Sequence, residues 1–340
     1  MEQQGRHHAG CRKRRHCVMR YDTNATKPLE TVTVGIPEGL MFFEQKTLWK
    51  NFFERLGCRA VCSGRTTRNI LNSGINLCCN ETCLPVKAFA GHAASLCDKT
   101  DYIFIPRCAS VCPHEKSCPK FCGLPDEMRI SLKGRANIIS ADIDYNRDPQ
   151  KTRKSLASLS GRLGIPCKAA ELVFNGCVKP GLTADISPNA SGSMRLGVPV
   201  IAVLGHPYII FDSLLSMGLI DKLRDAGYCV LTPYDVRRSV RRKYAGRFLS
   251  TSFFETGLDI VGGTKALYGL PQLAGMIYIS PFSCGVDSVV MELTERIIMR
   301  GPRHIPFLKL TVDEHSGEAG FNTRIEAFLD MISGARRKSI

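Results

Sequence analysis

Short β-branched runs alternate with amphipathic helical stretches along most of this chain, and that alternation leaves few folds open to it. Thr31-Val32-Thr33-Val34-Gly35-Ile36-Pro37 reads as a strand stopped by Gly and Pro. Phe42, Leu48, Trp49, Phe52, Phe53 and Leu56 then recur at helical spacing, with Gly57 as a stop. The same pattern predicts strands at 58–62, 101–106 and 137–143, and helices at 85–96, 149–163 and 167–178. From Lys179 to Arg195 the chain is rich in Gly, Pro, Ser and Asn, which predicts a linker or lid. A second series follows, with strands at 198–204, 228–232, 275–280 and 307–312 and helices at 214–226, 286–299 and 320–331. Strands alternating with helices predict parallel sheets covered on both faces. The expected organisation is a disordered basic arm over 1–30, an α/β domain over 31–180, a linker or lid over 181–195 and a second α/β domain over 196–335. In such sheets ligands bind beyond the carboxyl ends of the strands, so the loops there are the place to look for chemistry.

Sixteen cysteines in 340 residues are too many to ignore, yet the apolar segments can build a core without bridges. No apolar run of about 18 residues suggests a membrane span, and the basic opening does not read as an export signal. The expectation is a cytoplasmic protein whose thiols serve metal or redox chemistry. The formal charge is +15, and residues 1–30 carry seven Lys/Arg against three Asp/Glu. A second basic cluster, Arg237-Arg238 and Arg241-Arg242-Lys243, lies in an expected helix. Both read as solvated surface or as attraction to a polyanion such as coenzyme A. No zinc-finger, aromatic RNA-binding or helix-turn-helix pattern accompanies them, so the sequence gives no reason to expect nucleic acid as a partner.

Three cysteines stand out by position: Cys83 before a helix, Cys108 two residues after a strand, and Cys284 in Ser280-Pro281-Phe282-Ser283-Cys284-Gly285 after another. Two are in the first half and one in the second, so a shared site would sit in the cleft between them. A thiolate at a helix start is also stabilised by the helix's positive end. Cys108, Cys112, Cys118 and Cys122 follow a C-x3-C-x5-C-x3-C spacing. That spacing suits zinc knuckles only loosely, and thiolate-rich sites serve iron–sulfur clusters as well as zinc.

Several of these motifs are familiar together. Gly35-Ile36-Pro37, Glu81-Thr82-Cys83-Leu84-Pro85-Val86-Lys87 with Gly91-His92, and Phe104-Ile105-Pro106-Arg107-Cys108 come first. Ser117-Cys118-Pro119, Gly205-His206-Pro207-Tyr208, Pro281 to Gly285 and Val312-Asp313-Glu314-His315 follow in order. Over about residues 31 to 332 the chain resembles the proteins related to acyl-CoA dehydratase activases, which belong with 2-hydroxyacyl-CoA dehydratase components. The resemblance implies two Rossmann-like or flavodoxin-like domains with an iron–sulfur cluster in the cleft. It implies Cys83, Cys108 and Cys284 as ligands of a [4Fe–4S] cluster, and with Cys112, Cys118 and Cys122 added there are enough thiols for a double cubane. The implied partner is an ATP-dependent activase carrying its own [4Fe–4S] cluster, which delivers low-potential electrons for reductive or dehydratase chemistry. An acyl-CoA or another small molecule would be the substrate, and a homodimer would fit the family. A non-catalytic electron relay that docks an activase is the alternative, with a zinc-bound regulatory protein behind it. Where the family often has Gly-Arg-Pro-Tyr, this chain has His206, which removes a bidentate phosphate contact. No P-loop or dinucleotide fingerprint is present, so ATP would be handled by the partner.

Around these cysteines, Glu81, His92, His206 and Glu314 are candidate acid/base groups, and Lys87 and Tyr208 candidate cofactor contacts. Three of them also have a plain structural reading: Glu81 and Glu314 as helix caps, and His92 as a core residue against the sheet.

Overall fold

A computed structural model describes residues 32–145, 147–177, 197–249 and 253–337. The expected basic arm and the linker at 181–195 lie outside the described residues. In the first half, β1 (Thr33–Ile36), β2 (Arg59–Cys62), β3 (Tyr102–Phe104) and β5 (Ile138–Ile139) form a parallel sheet in the order β2-β1-β3-β5. In the second, β7 (Val200–Leu204), β8 (Cys229–Leu231), β9 (Leu273–Pro281) and β10 (Phe307–Val312) pair in parallel as β10-β9-β7-β8. Counted within its own half, each sheet has the order 2-1-3-4, the start of a doubly wound, flavodoxin-like arrangement. The alternating pattern of the sequence thus becomes a mixed α/β fold with parallel sheets. Val200-Ile201-Ala202-Val203-Leu204 is buried along its whole length, as a strand covered on both faces must be.

Two expected strands are each split. The run at 101–106 stops after Phe104 and resumes as β4 (Arg107–Ser110), and 137–143 becomes β5 and β6 (Asp142–Asp144), with β4 and β6 pairing separately. Pro106 has no N–H to give the ladder, which accounts for the break. As a result Cys108 stands inside a strand, and not on the loop that the sequence suggested.

Around the sheets run α1 (Phe42–Arg55), α2 (Arg68–Ile75), α3 (Leu84–Ala94), α4 (Pro119–Ser131), α5 (Pro149–Arg162) and α6 (Cys167–Cys177). The second half adds α7 (Pro207–Ile210), α8 (Leu219–Asp225), α9 (Arg238–Ala245), α10 (Glu255–Tyr268), α11 (Gly285–Met299) and α12 (Glu318–Arg337). Trp49, Phe52, Phe53, Phe104 and Phe174 stack into one aromatic core under the first sheet. At the crossing of α2 and α3, a Cβ on Gly91 would lie 1.8 Å from the Ile70 carbonyl oxygen. Only glycine permits that approach, and it fixes α3 and the residues it carries.

The halves are stitched together by polar contacts. Lys116 N–H donates to the Phe253 carbonyl (3.2 Å), and Glu255 N–H donates back to the Lys116 carbonyl (3.0 Å). Lys87 on α3 pairs with Glu314 after β10, and Thr66 donates to Asp212. No helix among the described residues is long and apolar enough to cross a membrane.

Candidate functional site

Three half-buried cysteines occupy the same structural position, the residue just before a helix: Cys83 before α3, Cys118 before α4 and Cys284 before α11. None of their side chains is used to cap its helix. Proline follows Cys118 directly and Cys83 at the second position, where a missing N–H costs nothing. Sulfur therefore sits at the positive end of a helix in each case. The Val86 N–H, which donates to the Cys83 carbonyl at 3.0 Å, favours thiolate at Cys83, and the Lys120 N–H does so at Cys118.

The three thiols act on one another. Burial pushes the Cys83 thiol up to about 12, with Val86 N–H opposing and the Cys284 and Cys118 sulfurs adding to the rise. Cys118 is raised by burial first, opposed by Lys120 N–H, and raised further by Cys284. Two of the thiols come from the first half and one from the second. Three thiols are the donor type that an iron–sulfur group takes.

His206, the residue before α7, belongs to the same site. It is 1% exposed, its Nε2 lies 3.7 Å from Cys284 Sγ and 3.2 Å from Asp287 Oδ1, and its ring stacks on Tyr208 at 4.8 Å. Tyr278 OH donates to the same Asp287 oxygen at 2.5 Å. Burial alone would lower the His206 pKa, but the Asp287 carboxylate and the Cys284 sulfur outweigh it and hold the ring protonated. Among the described residues, its Nδ1 and the second Asp287 oxygen are buried without partners. Gly205 makes the turn possible: its φ is +143°, and a Cβ there would lie 2.3 Å from the Ile279 carbonyl oxygen. Ser283, just before Cys284, also holds a positive φ of 66°. The His206 nitrogen, Cys284 sulfur and Asp287 oxygen lie within 4.8 Å of one another.

The other expected residues distribute as follows. Tyr208 is buried over the site, and its hydroxyl is held neutral by burial and by the nearby Cys284, Asp287, Cys118 and Cys83. Lys87, 1% exposed, spends its ammonium on Glu314 and on the Asn80 carbonyl at 2.9 Å. Burial works against an ionised Glu314, but the Lys87 bond keeps it below the usual carboxylate range. His92 has Ser63 on Nδ1 at 2.8 Å and Thr66 on Nε2 at 2.9 Å, so both ring nitrogens are already used. Glu81 is exposed in the loop ahead of Cys83. Cys108 is fully buried in β4, its thiol raised by burial and by Glu255, Cys122 and Glu44 rather than by Cys83 or Cys284. Cys122 Sγ donates to the Cys108 carbonyl at 3.3 Å, and Cys112 Sγ accepts from Arg238 at 2.9 Å. The six expected cysteines thus fall into a group of three at helix starts and a group of three beneath β4.

Asp287 escaped the sequence reading, although an acidic residue three places after Cys284 in a first helical turn was a visible signal. Glu44, Glu115, Glu255 and Asp259 escaped it as well, because their partners lie on other elements, for Asp259 on α9 and for the rest in the other half of the chain.

A family described as CoA enzyme activase uncharacterised domain matches residues 33–236, more than half of the 340 residues. No curated protein matches the chain.

Proposed function

The chain belongs to the family of the CoA enzyme activase uncharacterised domain, and from that premise we propose that it is an iron–sulfur protein reduced by a separate ATP-dependent activase. Cys83, Cys118 and Cys284 would hold the cluster. Its role would be reductive or dehydratase chemistry on an acyl-CoA or another small molecule. The observation that carries this reading is the convergence of three helix-start thiols, from both halves, on His206 and Tyr208.

A bound cluster supplies one-electron chemistry, at potentials set by hydrogen bonds to sulfur and by burial. The chain's own groups supply the rest. The helix starts and the Val86 and Lys120 N–H groups favour thiolate over thiol. Protonated His206, fixed by Asp287, directs its Nε2 at Cys284 sulfur and lowers the cost of negative charge there. The Tyr208 ring covers His206 and excludes water from it. The Lys87–Glu314 pair ties the helix of Cys83 to the half that carries Cys284.

The test is reduction by a partner. Protein loaded without oxygen is mixed with an ATP-dependent iron–sulfur activase and a reductant, and visible absorbance is followed. Bleaching that needs both activase and ATP supports the proposal; an iron-loaded chain that the activase does not reduce refutes it. A second reading rests on the close His206, Cys284 and Asp287 donors, which suit one zinc ion with an open position. Zinc bound at equal stoichiometry, with no iron taken up, would select it.

A further inference from the structure

Between the two halves lies a buried ionic network that the proposed function does not use. Arg238, Arg241 and Arg242 on α9 face four carboxyls: Glu44 on α1, Glu115 from the loop before Cys118, and Glu255 and Asp259 on α10. Arg242 grips Glu115 through Nε at 2.5 Å and Nη2 at 2.7 Å, and Arg238 adds a bond to Glu115 at 2.7 Å. Arg241 and Arg242 both hold Asp259 at 2.5 Å. Among the described residues, no guanidinium bonds the side chain of Glu44 or Glu255. Glu44 is 6% exposed and Glu255 4% exposed. One Glu255 oxygen accepts from Ser117 at 3.0 Å, and the other is buried without a partner.

The charges do not balance if every carboxyl is ionised: with the nearby His206 charge matched by Asp287, three guanidiniums would face four carboxylates. An uncompensated charge in an interior costs several kcal/mol, roughly, so one carboxyl keeps a proton. Glu115 and Asp259 are excluded by their bonds to arginine. That leaves Glu255, with its bare oxygen, and Glu44.

We propose that Glu255 stays protonated and that Glu44 is a proton site linked to reduction of the iron–sulfur group that Cys83, Cys118 and Cys284 would hold. If that group takes one electron from the activase, which is itself oxidised by one electron, the Glu44 carboxylate takes one proton from water. One O–H bond forms, hydroxide is left to the solvent, and the buried region keeps its net charge. This rests on the cluster reading above. The groups facing Glu44 are Asp259 and Glu255 on α10, Arg238 and Arg241 on α9, His206 before α7, and Cys108 on β4. Burial first and Asp259 second push Glu44 up to about 7, against the pull of His206, Arg238 and Arg241. Burial, with ionised Glu44 next, raises Glu255 well above the usual carboxylate range. The His206 link gives the coupling its route, since that ring also contacts Cys284.

Two measurements on the full chain test it. The first is the reduction potential of iron-loaded protein from about pH 6 to about pH 9, read by electron paramagnetic resonance. The potential should be flat below about pH 7 and fall above it by about 59 mV per pH unit, the tenfold step of a one-electron couple. Glu44→Gln should be flat throughout, while Glu255→Gln, whose amide stands for the neutral acid, and Glu44→Asp should keep the slope. A slope that persists in Glu44→Gln overturns the proposal. The second is the infrared carbonyl band of protonated carboxylic acid in metal-free protein. One such band should survive above about pH 8 and vanish in Glu255→Gln, and another should titrate near neutrality and vanish in Glu44→Gln. Absence of both bands overturns the proton site whatever metal is bound. Failure to take up iron overturns the cluster reading instead, and leaves the infrared result to decide the proton site.

Discussion

Removing one partner of the Lys87–Glu314 pair should cost very different amounts depending on which partner goes. Lys87 is 1% exposed, whereas the Glu314 side chain is 13% exposed at the edge of the site. Glu314→Ala leaves a buried ammonium with only the Asn80 carbonyl at 2.9 Å. Stripping a partner from a buried charge costs about 3–5 kcal/mol, and the low end applies because the vacated space opens to solvent. Lys87→Met leaves instead a carboxylate that water can reach, at about 1 kcal/mol. Trp49, the single tryptophan, is 3% exposed in the core of the first half and reports its unfolding by fluorescence. With a urea slope of about 3 kcal/mol/M, Glu314→Ala should lower the midpoint by about 1 M and Lys87→Met by about a third of that. The double variant should resemble Lys87→Met, because the charge that made Glu314→Ala costly is gone. Equal costs for the two single variants, or a larger one for Lys87→Met, would refute the assignment of Lys87 as the buried partner.

Burial holds His92 down to about 4, so the unfolded chain binds its proton first and stability falls as pH drops from about 6.5 towards 4. The loss should approach about 3 kcal/mol by about pH 4, and His92→Gln should remove that part of the slope in urea midpoints measured against pH. Gly205→Ala should cost at least about 2 kcal/mol through its forced positive φ and should displace His206, seen as a loss of its downfield imidazolium signal in proton NMR. Arg241→Met removes one of two guanidiniums on Asp259 together with bonds to the Pro233 and Val236 carbonyls. Thermal unfolding should show a loss of about 3 kcal/mol.

How much of this was readable beforehand follows from where each signal lives. The strand and helix periodicities are local, so β1, α1, β7, α11 and β10 came out close to their observed bounds. α10 did not, because Glu255-Thr256-Gly257-Leu258-Asp259 mixes buried acids with glycines and shows no apolar stripe. Its acids are tolerated inside only through arginines on another helix and a serine from the first half, which no window of sequence contains. Cys83 and Cys284 stood out in the sequence by their expected place at a helix start and a strand end, and each does stand just before a helix. Cys108 was expected on a loop because the break at Pro106 is a tertiary outcome: nothing local says that the chain re-enters a strand one residue later. Cys118-Pro119 carried the helix-start signature all along.

The central claim is that Cys83, Cys118 and Cys284 hold iron together, and iron with acid-labile sulfide per chain, measured after anaerobic reconstitution, tests it most directly. The account predicts about four irons and as many sulfides, as in a [4Fe–4S] centre. It predicts that Cys118→Ala loses most of both while Cys108→Ala and Cys122→Ala keep them. Retention of iron in Cys118→Ala with loss in Cys108→Ala would contradict the helix-start assignment. About eight irons that depend on Cys112 and Cys122 would replace it with a larger cluster.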